Sequence, residues 1–160
     1  MTFTAWRITK RKHAKNAFDG AGARKYGGRW NSPGNAVVYT SESQSLAVLE
    51  VLVHLDGPEL LERYVLIPVS IDESLVKKIE IRELPRNWRA HPAPKRLSVI
   101  GDQWLRAGGS AVLRAPSALL PAESNFLLNP NHSDFHKLVI GEPLPFQFDS
   151  RMAKEAKESK

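Results

Sequence analysis

Cysteine is missing from all 160 residues, and that single absence removes two architectures. Neither a disulfide framework nor a thiolate zinc site can form, which fits a reducing cytoplasm. Long apolar runs are missing too. The best of them, YVLIPVSI over residues 64–71, is strand-sized and too short to cross a membrane. The opening MTFTAWRITKRKH mixes polar and basic residues and lacks the apolar stretch of a signal peptide. There is no Walker sequence and no G-x-S-x-G elbow, and Gly20-x-Gly22 lacks both a third glycine and a preceding strand. His132 and His136 have a metal-helix spacing, but no glutamate follows the first of them, so no metal is expected.

What is present describes one ordinary globular domain. Its length closes a substantial core, and 42% hydrophobic with 25% charged residues is the balance of a folded soluble chain. The net charge of +6 is unevenly placed. Residues 1–30 hold eight Lys/Arg against the single acid Asp19, so the other 130 residues sum to −1. A basic N-terminal face can be merely solvated, or can draw an anionic small molecule, a nucleic acid or an acidic protein segment. The last ten residues, RMAKEAKESK, are expected to be a frayed or disordered tail following one domain over residues 1–150.

No internal repeat is visible. Strands are expected over 3–9, 36–40, 63–71, 110–115, 125–129 and 137–141, where β-branched and aromatic residues lie between turn residues. A first helix should open at Ser41-Glu42-Ser43-Gln44, read as a capping box with Ser41 as cap, and stop at Asp56-Gly57-Pro58. Its apolar stripe would be Leu46, Leu49, Leu52 and Val53. A second helix is expected over 95–107, before Gly108-Gly109, with LPRNWRAHPAPKR as a surface loop between the two. The fold class is α+β: a mixed β-sheet core with two main helices.

Four residues stand out chemically. Arg29, in KYGGRWNSPG, either ties down its own loop through carbonyls or grips an anion with its planar fork of donors. Gly27 and Gly28 before it allow the backbone to turn and a ligand to come close. Glu50 falls on the apolar stripe of the first helix, where a leucine would be expected. A carboxylate there must be paired, by an internal arginine or His54, or must face a cleft. Tyr39 ends a strand immediately before that helix, as a core tyrosine with its hydroxyl at the rim or as part of a site. Ser117 follows a strand and a proline, where serine commonly caps a turn. Asn125, Asn129 and Asn131 cluster nearby.

Taken in order, GGRWNSPG, VVYTSES, SLAVLEVLVHL, PSALLPAESNFLLNPNH and PFQFD resemble the RES domain over about residues 4–149. The family is named for an arginine, a glutamate and a serine, and it contains toxins of bacterial toxin–antitoxin pairs. The resemblance implies an ADP-ribosyltransferase-like fold with NAD bound in a cleft of the sheet. It implies cleavage of the nicotinamide–ribose bond by hydrolysis or phosphorolysis, or ADP-ribosylation of a protein. NAD is then substrate, with inorganic phosphate as co-substrate in the phosphorolytic case, and no cofactor or metal is required. The family arginine falls on Arg29, the tyrosine on Tyr39, the glutamate on Glu50 and the serine on Ser117. Gly28, Ser32, Asn125 and Asn129 follow as substrate contacts, Ser117 itself being assigned to the nicotinamide ribose or a phosphate. The implied partner is a cognate Xre-like helix-turn-helix antitoxin, with a toxin homodimer inside a larger assembly, in the cytoplasm.

Two other classes fit parts of the sequence. A basic nucleic-acid-binding module would account for a pI near 9.7. No helix-turn-helix, RRM or KH pattern is visible, though, and the basic residues are not interleaved with aromatics, so direct nucleic-acid binding is not expected. A non-catalytic interaction domain would leave Arg29, Tyr39 and Glu50 as packing.

Overall fold

The computed structural model describes residues 1–153. In chain order the elements are β1 (Thr2–Lys10), α1 (Ala21–Tyr26), β2 (Val38–Ser41), α2 (Gln44–Leu52), β3 (Tyr64–Asp72), β4 (Val76–Lys78), α3 (Lys95–Ala107), β5 (Val112–Pro116), β6 (Ser124–Leu128), β7 (Val139–Ile140) and β8 (Leu144–Phe146), with single 3-10 turns between several of them. The strands form one sheet in the order β4-β5-β6-β2-β1-β3-β7, with β8 also pairing β3. Every pairing is antiparallel except β4 with β5. The fold is therefore α+β around a mixed sheet, as expected.

Several boundaries differ from the sequence reading. The six expected strands are present with shifted ends, whereas β4 and β8 are too short to register as runs, and α1 is a six-residue helix without an apolar stripe. Ser41 does not cap α2. It is the last residue of β2, and Ser43 is the N-cap, its side chain accepting from the Leu46 amide. On α2, Leu46 and Ala47 are buried while Leu49 and Val53 are exposed. The helix ends at Leu52, before the expected stop, and residues 57–61 form a separate 3-10 turn. Of the expected tail, Arg151 and Met152 lie in a 3-10 turn capped by Asp149, and residues 154–160 lie outside the described residues.

The sheet has a seam. β1 and β3 pair over nine residues, but β1 meets β2 at only one register position, Trp6 opposite Ser41. Side-chain bonding reinforces that short ladder: Arg7 donates through Nη1 to the Tyr39 carbonyl (3.3 Å) and through Nε to that of Ala17 (3.1 Å). Burial pulls the Arg7 pKa down, and Asp19 acts against it. The one paired position lies at the C-terminal end of β2, so the strands part toward its N-terminal end, where Arg7 bridges to Tyr39.

Alternation along the strands sends neighbouring residues to opposite faces. Val38, Val112, Phe126 and Leu128 join one core with Val69 and Ile71, while Leu113 and Leu127 join Trp30, Trp88, Leu97 and Trp104 on the other side. There α3 packs through Leu97, Gly101 and Trp104, all on one helical face. From the same helix Asp102, 8% exposed, accepts from the Ser32 amide (3.0 Å) and from Asn35 Nδ2 (2.9 Å). Burial alone would push this carboxyl up; the donors from Ser32 and Asn35 more than reverse that and hold it below the ordinary carboxylate value. A depressed folded-state pKa stabilises the fold above the unfolded value of about 4, and the benefit is lost as pH falls through the lower, folded value. Unfolding temperature followed from pH 6 to 3 should therefore drop more for the native protein than for Asp102→Asn.

Candidate functional site

The segment carrying Arg29 is a tight turn. Gly28 and Asn31 form an isolated β-bridge, with Gly28 donating to the Asn31 carbonyl at 3.0 Å, so Arg29 and Trp30 occupy its tip. Trp30 is buried in the α3 core, and Arg29 remains partly open. Gly27 has φ 73°, in the left-handed region that favours glycine. Gly28 is glycine for a different reason than ligand approach. A Cβ there would fall 2.6 Å from the Tyr39 hydroxyl, so the protein's own packing already uses the space.

Tyr39 fastens this turn. Its hydroxyl donates to Asn31 Oδ1 (2.7 Å) and accepts from the Trp30 amide (3.1 Å). Burial pushes the phenol well above its ordinary pKa, and the Trp30 amide and Arg29 only partly offset this. The hydroxyl stays protonated and spent on the turn, so what Tyr39 can offer a ligand is its ring. Asn31, 1% exposed, donates in turn to the carbonyls of Ala23 (2.8 Å) and Asn35 (3.1 Å). Ser32 is tied to Asp102 through its backbone amide, which explains its place without a ligand.

Arg29 is bonded as the loop-tying reading expects, with part of its fork left over. Nη1 donates to the carbonyls of Trp88 (2.9 Å) and Ala90 (3.1 Å), so the arginine does hold a loop. Its Nε and Nη2 have no protein partner among the described residues, leaving one edge of the fork for an anion. Desolvation lowers its pKa, and the charge of Glu50 opposes the drop, which places the two side chains within electrostatic reach.

Glu50 is neither ion-paired among the described residues nor bonded to His54. Its Oε1 accepts two short bonds, from Ser117 Oγ (2.7 Å) and from Asn125 Nδ2 (2.7 Å), while Oε2 has no protein partner among the described residues. Both donors are themselves held. Ser117 Oγ accepts from the amides of Leu119 and Leu120 (3.1 Å each), which turns its proton toward Glu50. Asn125 Oδ1 accepts from Ser41 Oγ (2.7 Å) across the β2–β6 pair. One carboxylate oxygen is pinned, and the other is left to act.

These contacts bear on two of the candidate residues. Ser117 is fully buried and its hydroxyl is bonded to Glu50 and two amides, contacts suited to positioning Glu50. Ser117→Ala should lower kcat about tenfold with little change in KM, roughly 1.4 kcal/mol of transition-state stabilisation. It should also cost about 1–3 kcal/mol of stability, because buried amides and Oε1 lose their partner. Steady-state kinetics and thermal melting check both. Asn129 lies four positions from Asn125, about 13 Å along the strand direction. Its Oδ1 accepts from the Asn131 amide, and it lines a cavity with Arg106 and His132 that contains none of Arg29, Tyr39 or Glu50. Asn125 bonds Glu50, whereas Asn129 lines that separate cavity. Sequence reasoning missed Asn31 and Ser41, since neither residue type at a turn or strand end signals a network.

Residues 4–149 match the family described as the RES domain. The chain belongs to the RES domain family. A protein named Toxin Res from Yersinia enterocolitica is 40% identical over 148 residues, covering 92% of this chain and 97% of the relative. Another Toxin Res, from Photorhabdus laumondii, is 42% identical over 95% of this chain and 98% of its own length. A Sphingobium protein named Prs ADP-ribosylating toxin is 36% identical over 98% of this chain and all of its own. In structure, the RES chain resembles a solved chain of the Mycobacterium tuberculosis MbcT–MbcA toxin–antitoxin complex, with a TM-score of 0.76, 16% identity, and coverage of 92% of this chain and 85% of that one. The architecture expected to be ADP-ribosyltransferase-like is thus shared with a toxin–antitoxin system. No helix among the described residues is long and apolar enough to cross a membrane.

Proposed function

We propose that this RES protein is the toxin of a type II toxin–antitoxin pair and that it destroys cytoplasmic NAD by breaking the nicotinamide–ribose bond. The observation that carries the reading is the asymmetry of Glu50: Oε1 is fixed by Ser117 and Asn125, Oε2 has no protein partner among the described residues, and Arg29, one edge of its fork likewise without one, lies within electrostatic reach. Nicotinamide is cationic in NAD and departs neutral, taking the bonding electron pair with it, so no general acid is needed. Positive charge develops on the ribose in an oxocarbenium-like transition state. A carboxylate held against the ribose stabilises that charge and binds its hydroxyls. Arg29 grips the pyrophosphate, and the Tyr39 ring stacks on the nicotinamide. Water or inorganic phosphate then adds at C1′ and gives up its proton.

A toxin of this kind has to be silenced, and the fold is that of a chain solved with its antitoxin; an Xre-like antitoxin and a toxin homodimer within the assembly complete the reading. Transfer of ADP-ribose to a protein is the second reading, favoured by the Sphingobium relative's name. The experiment is incubation of the purified chain, free of antitoxin, with NAD, with and without phosphate. Nicotinamide with ADP-ribose signifies hydrolysis, a phosphorylated ADP-ribose signifies phosphorolysis, and a labelled protein signifies transfer. No nicotinamide release in any arm would sink the enzymatic reading.

A further inference from the structure

The proline-broken loop between α2 and α3 contributes more than a surface connection. Trp88 anchors it, 6% exposed among Trp30, Leu97 and Trp104. Arg29 grips the carbonyls of Trp88 and Ala90, the residues on either side of Arg89. Arg89 itself reaches the other wall of the site: Nε donates to the Ala118 carbonyl at 2.9 Å, and Nη2 approaches that of Leu119 at 3.5 Å. Those two residues directly follow Ser117, which holds Glu50. Arg89 therefore sits in the chain of contacts running from Arg29 to Glu50.

Neither Arg29 nor Arg89 forms an ion pair among the described residues; both are met by neutral carbonyls alone. Glu50 lies within electrostatic reach of Arg29 but forms no direct ion pair with it, and no ion pair among the described residues neutralises Arg89. Arg89 is exposed, and its Nη1 has no protein acceptor among the described residues. A planar fork can spend one edge on the protein and present the other to phosphate oxygens, which a lysine or an amide cannot do with the same geometry. Stapling one loop to another needs only a donor. A permanent charge with a free edge is what a doubly anionic group requires.

We propose that Arg89 is a second phosphate-binding residue, which shares the pyrophosphate of the bound dinucleotide with Arg29. This rests on the NAD reading above. It makes the 84–94 loop part of the binding site and selects for substrates with two adjacent phosphates over the corresponding nucleoside.

The test is binding, measured on Glu50→Gln protein so that no turnover intervenes, using NAD and nicotinamide riboside, which keeps the nicotinamide and ribose but lacks the pyrophosphate. Adding Arg89→Gln should weaken NAD at least tenfold and leave nicotinamide riboside unchanged, and Arg89→Lys should recover part of the loss. Unchanged NAD affinity would overturn the proposal, as would equal weakening of both ligands, which marks a loop that has merely come loose. If Arg89→Gln melts early, Arg89→Lys decides, because the retained charge must keep NAD favoured over the riboside. Failure of Glu50→Gln and native protein alike to bind any NAD overturns the NAD reading itself, and the Arg89 assignment with it.

Discussion

Glu50→Gln is expected to cut nicotinamide release from NAD by about a thousandfold while leaving the fold intact. The amide keeps the shape of the carboxylate. Its carbonyl oxygen can still accept from Ser117 and Asn125, the two donors that hold Oε1 at 2.7 Å. What changes is the other position, where an uncharged NH2 replaces Oε2. That group offers the oxocarbenium-like transition state no negative charge, and a loss near 4 kcal/mol matches the worth of one preorganised electrostatic partner in a reaction of this kind. The effect should fall on kcat, because the charge on the ribose is absent in the ground state. Growth arrest on expression should disappear in parallel. Unaltered turnover would remove Glu50 from the chemistry. Glu50→Ala is a poorer probe, since it leaves the Ser117 hydroxyl and the Asn125 amide without an acceptor and confounds activity with stability.

The same geometry explains what sequence reading could and could not reach. Glu50 was visible because a carboxylate on an apolar helical stripe breaks the pattern around it. Arg29 was visible through its glycine pair and Tyr39 through its place at a strand end. What was hidden is how these are supported. Ser117 looked like a turn cap and is one, accepting from Leu119 and Leu120, but the same hydroxyl also reaches Glu50, 67 positions away in sequence. No local pattern encodes that contact; it appears only when β5 and β6 pair and α2 lies across the seam. Ser41 reads in sequence as the helix cap because it is a serine ahead of an apolar run. One more strand residue moved the cap to Ser43 and freed Ser41 to bond Asn125. Likewise Asn125 and Asn129 look equivalent in SNFLLNP, yet their separation along the strand puts them in different neighbourhoods. The expected helix over 95–107 matched the structure residue for residue, since its apolar face and Gly108 C-cap are local signals.

That helix also carries the mutation expected to harm the fold most. Gly101→Ala should destabilise the domain by roughly 3–5 kcal/mol, more than the ~1–3 kcal/mol that overpacking usually costs. Gly101 lies in the middle of α3, where glycine is itself unfavourable by about 1 kcal/mol relative to alanine, so a helix-propensity argument alone forecasts a gain. Packing reverses the sign. A Cβ at this position would lie 1.6 Å from the Trp30 carbonyl oxygen and 2.7 Å from its carbon. Both are backbone atoms, and no rotamer change can move them aside. Relief requires α3 to lift from the Trp30 turn, which opens the core of Trp30, Trp88, Leu97 and Trp104 and strains the Asp102 bonds to Ser32 and Asn35. For a domain of this size the shift in Tm should be about 10 °C downward. Because Trp30 neighbours Arg29 and bonds the Tyr39 hydroxyl, NAD affinity should fall as well, even at temperatures where the variant remains folded. Thermal melting and NAD titration of Gly101→Ala check both effects. A variant as stable as the native protein would mean that α3 does not dock on the Trp30 carbonyl, and with it would go the account of how the Arg29 turn is held in place.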